Sequence, residues 1–296
     1  MSLRIRRSTS GGNMRVIGLK FHNHDCSISE VEDERILNVI ELERISGQRY
    51  HSENFFKTPE RLSYWFEWYA QYRADKKPAD VVILDYVIYR HHLKRFYSKK
   101  TLLRKIRAEM LRYGLITQKT LFETCRHHEG HAFLAFYTSP YDESLILSFD
   151  GAGDDGYTNL YLGSKKGIRL IRKYPYWLGR IYKSQKDFLD GLRYSKDKGG
   201  EEAVAGKIMA LAAFGKNKPE WHSMITSYIK TFHRLGTRAI DFPEFHRRSA
   251  KVLEVLRKPV PVESETALDW LFNFQHCWTE VVRDIIAENM KRWGIH

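Results

Sequence analysis

Residues 14–43 and 144–174 carry the same pattern, and this repetition constrains the fold of the chain more than any other feature. Each stretch holds three short segments that read as strands: residues 16–21, 26–31 and 35–40 in the first, and 145–149, 157–162 and 168–174 in the second. Polar turns separate them, Glu32-Asp33-Glu34 in the first stretch and Ser164-Lys165-Lys166-Gly167 in the second, so each reads as an antiparallel meander. A chain that opens the same way twice is expected to hold two related α/β halves.

Elsewhere the pattern is mostly helical. A helix is expected over 59–72, with Tyr64, Trp65, Trp68 and Tyr69 on one stripe that reads as core. A buried strand over 80–87 follows, then a basic helix over 99–113, a strand over 120–126 and a helix opening on His127. Past Tyr174, helices are expected over 178–192, 203–214, 221–234 and 265–293, the last preceded by the link Lys258-Pro259-Val260-Pro261. On this reading 1–13 is a disordered polar leader, 14–143 a first lobe and 144–296 a second. The second lobe reaches its return helix with no buried strand after it, so it is expected to be incomplete.

The densest chemistry lies where the two halves meet in sequence. In His127-His128-Glu129-Gly130-His131 the outer histidines are four residues apart, so a helix stacks both imidazoles on one face, as chelation of a transition ion requires. Asp150 closes the apolar run Leu145-Ile146-Leu147-Ser148-Phe149, which sets its carboxylate at a strand's C-terminal end as a hard third ligand. The turn Gly151-Ala152-Gly153-Asp154 exposes backbone amides of the kind that attract phosphate oxygens. A zincin helix is excluded, because the histidine that should follow His128-Glu129 falls on Ala132. A histidine pair also suits a helix start without any ligand; the Asp150-Gly-x-Gly-Asp154 continuation favours a site.

Three weaker signals accompany it. The loop His22-Asn23-His24-Asp25 offers His24 as a general base titrating near neutrality, with Asp25 to orient it or to serve a phosphate-bound metal, although the loop alone favours a turn stabilised by its aspartate beside an exposed histidine. Arg44 and Arg49, beside His51, carry planar donor forks suited to phosphate or carboxylate, against solvated loop charge as the plainer account. The run from Gly199 to Ile208 fails as a phosphate loop, since Glu201 and Ile208 stand where a glycine and a hydroxyl are needed. It reads instead as a helix start with a small-residue face of Gly206, Ala210, Ala212 and Ala213, and Lys207 is either structural or a phosphate contact.

Composition narrows the classes. With 296 residues and 43% hydrophobic content the chain can bury substantial cores. Its formal net charge of +13 favours an anionic partner such as a nucleotide or acyl phosphate. The densest basic runs, 94–100 and 104–107, lie in an expected helical excursion, where a solvated basic face is the default; no zinc-finger or RNA-motif spacing accompanies them, so nucleic acid is a minority reading. Cys26, Cys125 and Cys277 are far apart and odd in number, which argues against a disulfide framework and for a reducing cytoplasm. No apolar run nears the roughly 20 residues that span a bilayer, and no signal-peptide core is present.

Together these segments resemble the O-carbamoyltransferase family, which includes the nodulation and antibiotic-tailoring enzymes. The resemblance rests on Gly18-Leu19 through His24-Asp25-Cys26-Ser27, on Glu41 to Arg44 with Arg49, on His127 to Ala132 running through Ser139-Pro140-Tyr141-Asp142-Glu143 to Asp150-Gly151-Ala152-Gly153-Asp154, and on Gly206 to Gly215. It implies an actin-like/Hsp70/sugar-kinase fold of two ribonuclease-H-like lobes, related to the enzymes of tRNA threonylcarbamoyl transfer. It further implies that a YrdC-like domain, in cis or in trans, makes carbamoyl adenylate from carbamoyl phosphate and ATP. The carbamoyl group then passes to a small-molecule hydroxyl beside a metal at His127, His131 and Asp150, usually iron, with manganese or zinc as alternatives. A further metal aspartate and a Gly-Gly nucleotide strand belong, by the resemblance, after residue 296. Three positions depart from the family pattern: Arg49 stands for a lysine, Asp33-Glu34 for an Asp-Gly turn, and Glu41-Leu42-Glu43-Arg44 for a Glu-Glu-Glu-Arg run. The alternatives are a tRNA threonylcarbamoyl-transfer enzyme of the same fold and a non-catalytic module that binds nucleotide or a partner.

Overall fold

A computed structural model describes residues 13–21, 25–33, 35–48, 51, 60–85, 99–151, 153, 155–175, 177–192, 204–231 and 260–295. The first meander forms as expected: β1 (Arg15–Lys20), β2 (Ser27–Glu32) and β3 (Arg35–Glu41) pair antiparallel. Asp33 closes the β2–β3 turn with a φ of 53°, and its carboxylate accepts from the Met14 amide at 2.9 Å, the local hydrogen bonding that lets aspartate occupy the left-handed region. β4 (Ala79–Asp85) then joins parallel to β1, and β5 (Ile116–Cys125) parallel to β4. The resulting five-stranded order, β3-β2-β1-β4-β5, is that of a ribonuclease-H-like sheet, the α/β class expected of the actin-like/Hsp70/sugar-kinase fold.

Parallel neighbours need crossovers, and α2 (Glu60–Tyr72) and α3 (Lys99–Arg112) lie between the strands concerned. Their apolar stripes meet the inward residues of the sheet: Leu62, Phe66, Tyr69, Ile106 and Met110 share one core with Ile17, Leu19, Ile28, Val82 and Leu84. Of the expected aromatic stripe, Trp65 and Tyr69 are buried and Trp68 borders the core, but Tyr64 is 55% exposed. The stripe is centred on Leu62, Trp65, Phe66 and Tyr69, and at 100° per residue Tyr64 turns away from it.

The chain divides into two compact units, Met1–Gly130 and His131–His296, and the division falls within the continuous helix α4 (His127–Tyr137). In the second unit β6 (Ser144–Phe149), β7 (Thr158–Ser164) and β8 (Gly167–Tyr174) form the second meander as an antiparallel three-stranded sheet. Ala132 and Phe136 of α4 pack with Ile146, Tyr161 and Ile168. Gly163 leaves room for that contact, because a Cβ there would meet the Phe136 ring.

A larger core gathers α5 (Leu178–Ser184), α6 (Val204–Ala212), α7 (Pro219–Thr231) and the long α8 (Glu265–Trp293) around Leu178, Ile208, Ile225, Trp270, Leu271 and Phe274. α8 begins where the Ser264 hydroxyl accepts from the Ala267 amide and ends at left-handed Gly294, standard helix-end chemistry. The expected helix over 178–192 stops early. After α5 a 3-10 turn, Gln185–Phe188, leads into the two-residue strand β9 (Leu189–Asp190), which pairs parallel with β10 (Val260–Pro261). Distant strand pairing overrides local helical periodicity there. The small-residue face expected on α6 is likewise replaced: Val204, Ile208 and Ala212 are buried at i, i+4, i+8, while Gly206, Ala210 and Ala213 face solvent.

No disulfide joins the three cysteines, and Cys26 and Cys277 are buried. No described helix is long and apolar enough to cross a membrane.

Candidate metal centre

α4 starts directly after β5, with the Gly130 amide donating to the Arg126 carbonyl at 2.8 Å to close its first turn. That start sets His127 and His131 one turn apart. Asp150 follows the last residue of β6, and its Oδ2 lies 3.9 Å from His131 Nε2. One ligand atom each from His127, His131 and Asp150 lie within 4.8 Å of one another, and this is the only such group of histidine, cysteine and acidic side chains among the described residues. Two imidazoles and a carboxylate are the donor set of an open-sided iron, manganese or zinc centre, so the residues present fit the group.

The group is closed on one side and open on the other. The His127 side chain is 11% exposed, whereas His131 and Asp150 are 53% and 39% exposed.

Two features hold Asp150. Its amide donates to the Tyr157 carbonyl at 3.3 Å, which closes the Asp150–Tyr157 loop, and a carboxylate oxygen accepts from the Gly151 amide. Gly179, near the start of α5, lies against the backbone of Asp150 and Gly151; a Cβ there would overlap the Asp150 carbonyl. Deeper in the loop, buried Asp155 accepts through its side chain from the Tyr161 hydroxyl at 3.3 Å and through its carbonyl from Lys173 Nζ at 2.6 Å. The Gly153 amide donates to the Gly156 carbonyl at 2.9 Å. In this conformation the amides of Gly151 and Gly153 are thus bonded within the turn, and a phosphate oxygen would have to replace those partners.

The remaining expected residues fall as follows. Asp25 is described, with a φ of 54° in the β1–β2 loop. His24, Arg49 and Asp154 lie outside the described residues. Arg44, in the short α1 (Glu43–Ser46), pairs with Glu41 at 3.3 Å and Glu43 at 3.8 Å on the surface. His51 is buried, its carbonyl accepting from the Cys26 amide at 3.1 Å and its ring edge-on to Trp65. Lys207 is on the exposed side of α6.

Sequence reasoning passed over Asp85 and Gly179. Asp85 ends β4, and its Oδ2 lies 3.9 Å from His127 Nδ1. In the sequence Asp85 sits inside the expected strand over 80–87, with Tyr86 and Val87 after it, so no local signal marked it as a strand end. Gly179 carried no local signal, since its role is a close approach to backbone distant in sequence.

Comparison with known proteins adds four findings. The family model for the carbamoyltransferase N-terminus matches residues 62–251. Nodulation protein NolNO of Sinorhizobium fredii is 23% identical over 284 residues, covering 92% of this chain and 39% of that protein. An uncharacterized protein of Synechocystis sp. is 30% identical over 153 residues, 50% of this chain and 22% of its own length. The chain therefore spans well under half the length of these curated relatives. Among solved structures, a Ppx/GppA family member of Aquifex aeolicus is similar over 90% of this chain and 92% of its own, at 12% identity and a TM-score of 0.35.

Proposed function

Because the chain belongs to the carbamoyltransferase N-terminus family, we propose that it is the transferase portion of an O-carbamoyltransferase, passing a carbamoyl group from carbamoyl adenylate to a hydroxyl acceptor. The carbamoyl adenylate would come from carbamoyl phosphate and ATP through a YrdC-like domain. The observation that supports this reading most is the convergence of His127, His131 and Asp150 within 4.8 Å. A divalent ion held there, iron in the first instance, would supply positive charge against the phosphate of the leaving adenylate and the carbonyl oxygen under attack.

The chain's own residues then divide the work. His127 anchors the closed side, while the exposed His131 and Asp150 face the substrate. The loop from Asp150 to Tyr157 carries the glycine amides that would exchange their internal partners for phosphate oxygens. Carbamoyl transfer requires the attacking hydroxyl to lose its proton, and His24 is the proposed acceptor, with Asp25 serving the phosphate or metal side.

The test is calorimetric titration of the chain with a hydrolysis-resistant carbamoyl adenylate analogue, with and without manganese(II) as a redox-stable stand-in for iron. Binding is expected to tighten with metal in the wild type and to be metal-independent in the His127→Ala/His131→Ala variant. Equal affinity with and without metal in the wild type contradicts the reading.

A further inference from the structure

We propose that Asp85 is a positioning residue for the metal centre: it holds the His127 imidazole through Nδ1, so that Nε2 is left as the ligand atom. The inference rests on the metal reading above and goes beyond it, because it concerns a residue outside the ligand group.

The sheet register places the carboxylate. β4 and β5 run parallel with Asp85 opposite Cys125, and His127 opens α4 two residues after Cys125. Strand end and helix start are thus side by side. Asp85 Oδ2 stands 3.9 Å from His127 Nδ1, with the two side chains 19% and 11% exposed. That is ion-pair range, somewhat longer than a made hydrogen bond. Asp85 is not one of the three residues that converge within 4.8 Å, so it stands outside the ligand group while lying beside one of its members.

The chemistry of imidazole gives this position a consequence. A neutral ring has one N–H and one lone pair, and only the lone pair ligates a metal. A carboxylate beside Nδ1 selects the tautomer with the proton on Nδ1 and fixes the ring plane. It also makes the free Nε2 more basic, as outer carboxylates do for metal-bound histidines generally. His131 stands differently, since its Nε2 faces Asp150 of the ligand group itself. Asp85 thus prepares the shielded half of the site before any ion arrives.

Two measurements on the full chain test this. In metal-free, 15N-histidine-labelled protein at alkaline pH, with the His127 signal identified by its loss in His127→Gln, the wild type should show the Nδ1–H tautomer and Asp85→Ala the Nε2–H tautomer. In cobalt(II) titrations against a competing chelator, read by visible absorption, Asp85→Ala should bind about 10–100-fold more weakly than wild type. Asp85→Asn, which keeps an acceptor oxygen, should retain the tautomer and lose less affinity; it carries both comparisons if Asp85→Ala does not fold. An Nε2–H tautomer in the wild type overturns the proposal, as does equal cobalt affinity in wild type and both variants, and either result leaves the metal reading intact. Failure of the wild type to take up cobalt instead overturns the metal reading, and the positioning role with it.

Discussion

The two units stabilise their sheets by different means. In the first, Arg15 at the start of β1 is 1% exposed, with Glu30 and Arg73 nearly as deep. Glu30 pairs with both arginines and accepts from the Tyr69 hydroxyl at 2.8 Å, while Arg15 reaches out to Asp75 and Glu32, and Lys77 to Glu32. Burial, with the neighbouring Glu30 carboxylate, pushes the Tyr69 hydroxyl well above its ordinary range. The second unit instead packs Trp270, Leu271 and Phe274 of α8 among apolar side chains, and the buried Asp269 and Asn273 of the same helix accept from the Lys216 and Lys218 amides at 2.7 and 2.8 Å, so its buried polar groups are mostly satisfied by backbone and not by paired charges. The charged network sits at the N-terminal ends of β1 and β4, where the Arg15 amide donates to Asp80. Asp85 lies at the opposite, C-terminal end of β4, and Asp150 just past the C-terminal end of β6. Within the first unit the charged network and Asp85 thus lie at opposite ends of β4.

The largest effect should follow from breaking the network. Glu30→Ala leaves Arg15 and Arg73 buried without their shared carboxylate, and uncompensated buried charge costs about 3–5 kcal/mol. Urea unfolding followed by tryptophan fluorescence should show that loss; a change under about 1 kcal/mol would mean the network is solvated and the contrast between the units false.

A smaller effect should appear in acid. The Arg15 guanidinium holds the Asp75 carboxyl below the usual carboxylate range, and the Lys77 ammonium does the same for Glu32. Both folded-state values are depressed, so the stabilisation is present above the unfolded carboxylate values near pH 4 and is lost as pH falls through the lower folded ones. The urea midpoint of wild type should therefore drop more steeply between pH 5 and pH 3 than that of Asp75→Asn. Parallel curves would place the acid sensitivity elsewhere.

How much of this was legible in the sequence depended on the range of the interaction. Both meanders, α2, α8 and the histidine helix could be read because short strand runs bounded by polar turns, the 3.6-residue stripe and the i,i+4 spacing are local. The pairing of Leu189 with Val260 could not, since a helical pattern gives no warning of a distant strand. Glu30 and Arg73 carry no local mark of burial and become buried partners only through the fold. At the site, His127, His131 and Asp150 were marked by spacing and strand ends; Asp85 needed the β4–β5 register, and Gly179 the approach of α5 to Asp150.

The central claim is that α4 and the end of β6 build one metal centre. Metal analysis of protein equilibrated with iron(II), manganese(II) or zinc(II) and then desalted tests it most directly. The wild type should retain about one ion per chain, with the His127→Ala/His131→Ala and Asp150→Ala variants largely empty. Equal occupancy in wild type and the double-histidine variant would contradict it.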